Sequence, residues 1–264
     1  MIKKAGEWFQ FDGIRRGAAM TGAALSIALA GCATRGPTHL YLAGIGTAPV
    51  MDRGLEDGLH DELEGFLAPT DVVVGLGYEF NTDYIWLRLA PGNELVTIKR
   101  SERKEWYRYQ LPAAFAQSGQ ASLDLAVRAF NRMVYAAMPE PGAVGKVTRY
   151  GEVRDSVRPG NTTRVIGGLA WDQVRDRLLV LYADDGSLVA YANEVEPVET
   201  IRFTEPVSPT TLAFDSNRQR FYVPLAGGVE LGEFDAAGQL LARLPWPTEL
   251  RAIDAGQRSN VRIF

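Results

Sequence analysis

The sequence predicts an all-β fold, a β-propeller of five blades with about four strands in each. Three observations predict it. A strand–turn–strand unit recurs along the chain, with starts at residues 76, 125, 169, 212 and 251, and a repeat of about 40–50 residues is the spacing of propeller blades. The periodicity is of the β type, with tight-turn signals between short apolar runs and very little helical spacing. One N-terminal strand, His39 to Ala43, has no repeat of its own and is available to complete the last blade.

The first 31 residues read as an address. Lys3, Lys4, Arg15 and Arg16 precede the apolar run from Gly17 to Ala30, and a basic segment before a short run of small apolar residues is the secretory pattern. The run is shorter than the roughly 20 residues a membrane-crossing helix needs. Leu29-Ala30-Gly31-Cys32 resembles the lipobox of bacterial lipoproteins, and Cys32 is the only cysteine of the chain. The resemblance implies that signal peptidase recognises Leu29, Ala30 and Gly31 and cuts before Cys32, and that the Cys32 sulfur carries a diacylglycerol. Arg15-Arg16 is followed by Gly17-Ala18, which is not the usual setting of a twin-arginine signal. Ala33 follows the cysteine where that family's retention signal would be acidic, which implies passage to the outer membrane of a diderm bacterium, facing the periplasm. Residues 32–38, with Arg35, Gly36 and Pro37, then form the lipidated cysteine and a short tether, and residues 39–264 form the propeller.

Within the propeller, the third and fourth units match best. Leu169-Ala170-Trp171-Asp172 with Arg177 to Tyr182 repeats as Leu212-Ala213-Phe214-Asp215 with Arg220 to Leu225. Each has an apolar strand ending in an aromatic residue and Asp, a polar turn, and an Arg opening the next strand. Weaker copies run from Leu125 to Tyr135, from Leu76 to Leu87 and from Arg251 to Phe264. Asp184-Asp185-Gly186 and Asp235-Ala236-Ala237-Gly238 supply hairpin turns. These units resemble extracytoplasmic bacterial propellers of the NHL and YVTN type over roughly residues 70–264. Asn260 to Phe264 is expected as the second strand of the fifth unit, with the N-terminal strand closing the ring. A sixth blade remains open if residues 47–70 hold an eroded unit.

Composition limits function. Net charge is −4 for the whole chain, and residues 1–31 carry four basic and two acidic side chains, so the remainder is more acidic still. Such a balance argues against nucleic acid as a partner. Two histidines, His39 and His60, make a multi-histidine metal centre improbable, and no Gly-x-Ser-x-Gly elbow is present. His60 lies in an acidic stretch expected to be an exposed loop or short helix. Asp172, Asp215 and Asp254 recur at one place in three units. Repetition favours turn caps over a cation-binding ring. Glu79, Asn81, Asn161 and Asp172 carry oxygens that calcium accepts, but their spacing matches no metal motif. Lys99, Arg100, Arg103 and Lys104 adjoin Trp106, Tyr107 and Tyr109, the composition of a glycan or nucleic-acid surface, or of a solvated turn before a half-buried strand.

No catalytic set, metal site or cofactor is therefore assigned. The expected function is a membrane-anchored extracytoplasmic module that binds or scaffolds another envelope protein or a glycan. The rival is a channel-mouth enzyme or small-ligand receptor, lactonase-like or glycan-active.

Overall fold

Each of the four internal repeats folds as a four-stranded antiparallel sheet, and a fifth sheet joins the two ends of the chain. The computed structural model describes residues 36–44, 50–63, 65–116, 122–246 and 249–258. The N-terminal strands are β1 (Thr38–Gly44), β2 (Val50–Gly54) and β3 (His60–Leu63). The first blade is β4 (Val72–Glu79), β5 (Tyr84–Ala90), β6 (Glu94–Lys99) and β7 (Lys104–Gln110). The second is β8 (Leu125–Arg128), β9 (Met133–Ala137), β10 (Val144–Thr148) and β11 (Val153–Val157). The third is β12 (Ile166–Asp172), β13 (Arg177–Tyr182), β14 (Leu188–Ala192) and β15 (Glu196–Ile201). The fourth is β16 (Ala213–Asp215), β17 (Arg220–Pro224), β18 (Glu230–Phe234) and β19 (Leu240–Pro245). The fifth takes its inner strand, β20 (Leu250–Gln257), from the C-terminal segment and the other three from the N-terminal one, in the order β20-β1-β2-β3.

Two expectations change here. The second strand of the last blade is β1, paired with β20 from Thr38↔Gln257 to Gly44↔Leu250, whereas Asn260 to Phe264 lie outside the described residues. Residues 47–70 are no sixth blade: they supply β2 and β3. Leu29, Ala30, Gly31 and Cys32 also lie outside the described residues, as does the start of the tether. At its end, Gly36 is buried and its N–H donates to the Arg258 carbonyl, and Thr38 opens β1.

Burial falls from the inner strands to the outer ones. Every residue of β12 is buried, while β11 and β15 are almost wholly exposed. The apolar side chains form five clusters, each shared by two neighbouring blades. Trp86 meets Val127 and Val134 between the first and second blades. The Tyr135 and Trp171 rings stack 4.6 Å apart between the second and third. Tyr41 and Tyr78 lie 4.4 Å apart between the fifth and first, which closes the ring. Burial of such side chains contributes about 1.5–3 kcal/mol each, so the blade interfaces are the main source of stability.

Near the axis the inner strands crowd. A Cβ on Gly75 would stand 2.3 Å from the Leu123 carbonyl oxygen, and one on Gly168 2.7 Å from the Leu212 nitrogen. Glycine is required there by close backbone approach, as expected for inner propeller strands. Into this crowded zone the chain places one carboxylate, Asp124, fully buried. Its Oδ2 accepts hydrogen bonds from Leu169 N–H, Leu212 N–H and the Thr211 hydroxyl. Thr211 Oγ1 in turn accepts from Ile253 N–H. Two side chains, Asp124 and Thr211, thereby tie the second, third, fourth and fifth blades.

The recurring aspartates divide. Asp172 accepts from the N–H groups of Val174 and Arg175, and Asp215 from those of Asn217 and Arg218, so both cap the turn after the inner strand. Asp254 does not. It lies within β20, and its carboxylate accepts from the N–H of Tyr78 on β4 and of its own neighbour Ala255. The residue keeps some accessible surface, yet its carboxyl is enclosed. Burial pushes that carboxyl up to about 7, against the pull of the two N–H donors.

A carboxyl whose pKa is higher in the folded than in the unfolded chain stabilises the fold at low pH. That contribution is lost as pH rises from about 4 through about 7. The parent protein is therefore expected to melt higher at pH 5 than at pH 8. Asp254→Asn should flatten this slope and recover part of the roughly 4 kcal/mol lost at pH 8, less the one N–H acceptor that an amide gives up. Calorimetric melts across that range check it, and an undiminished slope in Asp254→Asn refutes it.

Candidate functional site

Antiparallel blades place the turns between first and second strands, and between third and fourth, on one face of the disc. On that face, between the first and second blades, is a cavity of about 320 Å³. The alternation of β-strands builds its wall. Gly77, Trp86, Thr97 and Tyr107 stand opposite one another across β4, β5, β6 and β7, and so point to one side of the sheet. Glu79 and Tyr84 form the next row toward the face. Gly77 lets the second blade come close, since a Cβ there would meet Val127 Cγ2 at 2.6 Å. The second blade contributes Arg132, from the β8–β9 turn, and Arg149, from the β10–β11 turn.

Glu79 sits at the floor and is 1% exposed. Its Oε2 accepts from the Trp86 indole N–H at 3.2 Å, while Oε1 has no hydrogen-bond partner. Arg132 Nε stands 3.6 Å from Oε1, an ion-pair distance rather than a hydrogen bond. Burial raises the carboxyl pKa, and the Trp86 indole and the neighbouring Thr82 hydroxyl oppose the rise. The Thr82 hydroxyl, on the same wall, is also buried; it lies near enough to Glu79 to act on that carboxyl, yet makes no well-formed hydrogen bond. A buried polar atom left unpaired costs about 1–3 kcal/mol, so two of them in one cavity mark it as built for something polar.

The rim is aromatic. Trp106 is 41% exposed and Tyr107 42%, on a strand of mixed exposure. Trp106 lies 6.3 Å from Tyr84 and 6.1 Å from Tyr107, and Tyr107 stacks on Tyr109 at 5.8 Å. Arg149 lies 4.7 Å over the Tyr150 ring. Phe80 and Phe130 project from equivalent turns of the two blades, and Phe130 is 89% exposed. Folding gains nothing from a phenylalanine in that position, whereas a contact surface does.

Three of the four basic residues beside the aromatics are held in ion pairs. Arg100 makes a two-pronged bond to Asp83, Arg103 one to Asp61, and Lys99 pairs with Glu102. His39 is fully buried between Asp52 at 2.6 Å and Asp57 at 3.3 Å. Arg258 donates to the other oxygen of Asp52. Burial pushes the Asp52 carboxyl up, but hydrogen bonds from His39 and Arg258 outweigh it and hold the group low. His39 is thus part of the clasp of the fifth blade. His60 is exposed at the start of β3, not in a loop or helix.

The oxygens considered for calcium do not converge. Asn81 donates to the Ala129 carbonyl, Asn161 lies in a tight turn between the second and third blades, and Asp172 caps its own turn. Among the described residues no three His, Cys, Asp or Glu side chains stand together as a metal site. Of the sequence candidates, Glu79 and Tyr107 reach the cavity. Thr82, Tyr84, Trp86, Arg132 and Arg149 were not singled out by sequence, because their grouping exists only once two blades pack.

The fold is similar to known propeller structures. A chain in the nidogen–laminin complex matches with a TM-score of 0.57 at 12% identity, over 83% of this chain and 98% of that one. Glutaminyl cyclase of Myxococcus xanthus matches with a TM-score of 0.50 at 13% identity, over 67% and 72%. A chain of the mitotic checkpoint complex matches with a TM-score of 0.50 at 10% identity, over 84% and 83%. At such identities the likeness establishes the fold alone. No family model and no curated protein sequence matches the chain.

Proposed function

We propose that this chain is an extracytoplasmic lipoprotein, anchored through Cys32 at the periplasmic face of the outer membrane, whose propeller binds an envelope protein or a glycan. The observation that carries the binding role is the aromatic-rimmed cavity between the first and second blades, with its buried, unpartnered Glu79 oxygen. A rigid disc with a polar-floored cavity and exposed rings around it is suited to recognition. The cavity lining holds a single carboxyl, whereas glycoside hydrolysis of the usual kind takes two.

The anchor rests on the lipobox and on chain geometry. β1 begins at Thr38, opposite Gln257, where the fifth blade meets the cavity-bearing face. Five residues lie between it and Cys32. Whatever their conformation, they span at most roughly 20 Å. A lipid at Cys32 therefore keeps that face within a short distance of the membrane, and two or more acyl chains make the attachment stable.

In-cell crosslinking followed by purification from membranes tests the reading, with Cys32→Ser as the control. The expected result is a membrane-fraction protein carrying label from a fatty-acid analogue and a near-stoichiometric crosslinked partner. Both label and membrane association should be lost in Cys32→Ser. Label-free protein that stays in the membrane fraction would overturn the anchor.

A further inference from the structure

The groups in the cavity specify more than a binding role. Its floor offers Glu79 Oε1 and the neighbouring Thr82 hydroxyl, a buried acceptor and donor that act on each other without a well-formed hydrogen bond. Both call for a ligand with hydroxyl groups. Its mouth holds two guanidinium groups against one carboxyl. Arg132 is already opposed by Glu79 at 3.6 Å, while Arg149 has no carboxylate within ion-pair distance among the described residues. An amine would meet net positive charge and be repelled, whereas a carboxylate would find the two-pronged geometry that arginine offers. Tyr84 and Tyr107 supply flat walls, with Trp106 beside both. Flat aromatic faces accept the C–H face of a saturated ring. The volume is at the small end of the roughly 300–1,000 Å³ seen for ligand pockets, which suits one or two rings.

Hydroxyl groups, one carboxylate and a flat apolar face in a ligand of that size describe an acidic sugar. We propose that the cavity between the first and second blades binds a hexuronate-type sugar unit, its carboxylate on Arg149, its hydroxyl groups on Glu79 and Thr82, and its ring against Tyr107. This rests on the reading of the cavity as a binding site and chooses the glycan over the protein partner.

The probe is D-glucuronate, titrated into the full chain while tryptophan fluorescence is followed, with D-glucose and acetate as comparisons. Trp86 and Trp106 border the site and report on its occupancy. Glucuronate is expected to give a saturable change, glucose a response at least tenfold weaker, and acetate none. Arg149→Gln should bring glucuronate down to the level of glucose, with an unchanged melting temperature because the side chain is only partly buried. Tyr107→Ala should weaken both sugars. Equal affinity for glucuronate and glucose, or a glucuronate response that survives in Arg149→Gln, overturns the proposal. So does the absence of a saturable response. Neither result touches the anchored-module reading, which the crosslinking and the Cys32→Ser control decide separately.

Discussion

Deleting residues 33–46 is expected to abolish the cooperative fold or lower its melting temperature by tens of degrees. The reason lies in where β1 sits. All seven of its residues are buried, and Leu40, Tyr41 and Leu42 are at most 1% exposed. Leu40 and Leu42 pack toward the fourth blade, with Tyr222 and Leu231, while Tyr41 packs toward the first, against Tyr78. Three side chains at about 1.5–3 kcal/mol each come to about 5–9 kcal/mol, against a total stability of about 5–15 kcal/mol for a typical domain.

The loss is not only apolar. Without β1, the strands β20 and β2 both lose the partner between them, and two unpaired edges face each other. Thr38 also donates to Asp215 in the fourth blade, so one turn cap loses its support. Far-ultraviolet circular dichroism and calorimetry on the deleted and full chains provide the measurement. A deleted chain that melts like the parent would mean that β20 does not depend on the N-terminal segment, and the closure would be wrong.

Much of this architecture was legible because it repeats. The pattern Leu-Ala-aromatic-Asp followed by Arg fixes the inner strand, the turn and the start of the second strand, and the structure pairs Asp172 with Arg177 and Asp215 with Arg220 as that spacing requires. Closure by the N-terminal strand was legible for the opposite reason, an apolar strand without a repeat. The extent of the closure was not. β2 and β3 are short and largely polar, with Asp52, Arg53, His60, Asp61 and Glu62 among nine residues, so their apolar signal is too weak to read as strands.

The turns after the inner strands hid a device of another kind. Asp83, Arg132, Asp176 and Gln219 each stand just before the second strand of a blade with φ between 53° and 60°. Glycine is the usual mark of that left-handed conformation, and none of the four is glycine. The cavity was illegible for a further reason. Glu79 and Arg149 are far apart in sequence and belong to different blades, and only inter-blade packing sets them around one space. A sequence pattern describes one blade at a time, whereas the candidate site belongs to the seam between two.

The same distinction makes Asp124 the most informative single residue to change. Nothing in the sequence marks it, since it precedes an inner strand in one unit only. In the structure its Oδ2 gathers three donors from the third and fourth blades, and Thr211 extends the link to Ile253 in the fifth. Replacement by alanine leaves two backbone N–H groups and a hydroxyl buried without their acceptor. At about 1–3 kcal/mol for each unpaired group, the loss is about 3–9 kcal/mol, or a melting temperature lower by about 6–36 °C for a domain of this size.

Asparagine should behave differently. Burial pushes the Asp124 carboxyl well up, against the hydrogen bonds from Leu169, Leu125, Leu212 and Thr211. Its contribution is therefore full at low pH and is lost as pH rises through the folded-state value. An amide keeps an acceptor oxygen and carries no charge to bury. Asp124→Asn is accordingly expected to cost little at pH 5 and to equal or exceed the parent at pH 8, while Asp124→Ala is low at both. Melting curves of the two variants at the two pH values separate the roles of acceptor and charge. If alanine melts within about 2 °C of the parent, a shift worth under about 1 kcal/mol, the blades are held by their apolar seams alone. If alanine fails and asparagine does not, one hydrogen-bond acceptor at the axis joins three blades, and through Thr211 a fourth, and supports the rigidity that a seam-borne binding site needs.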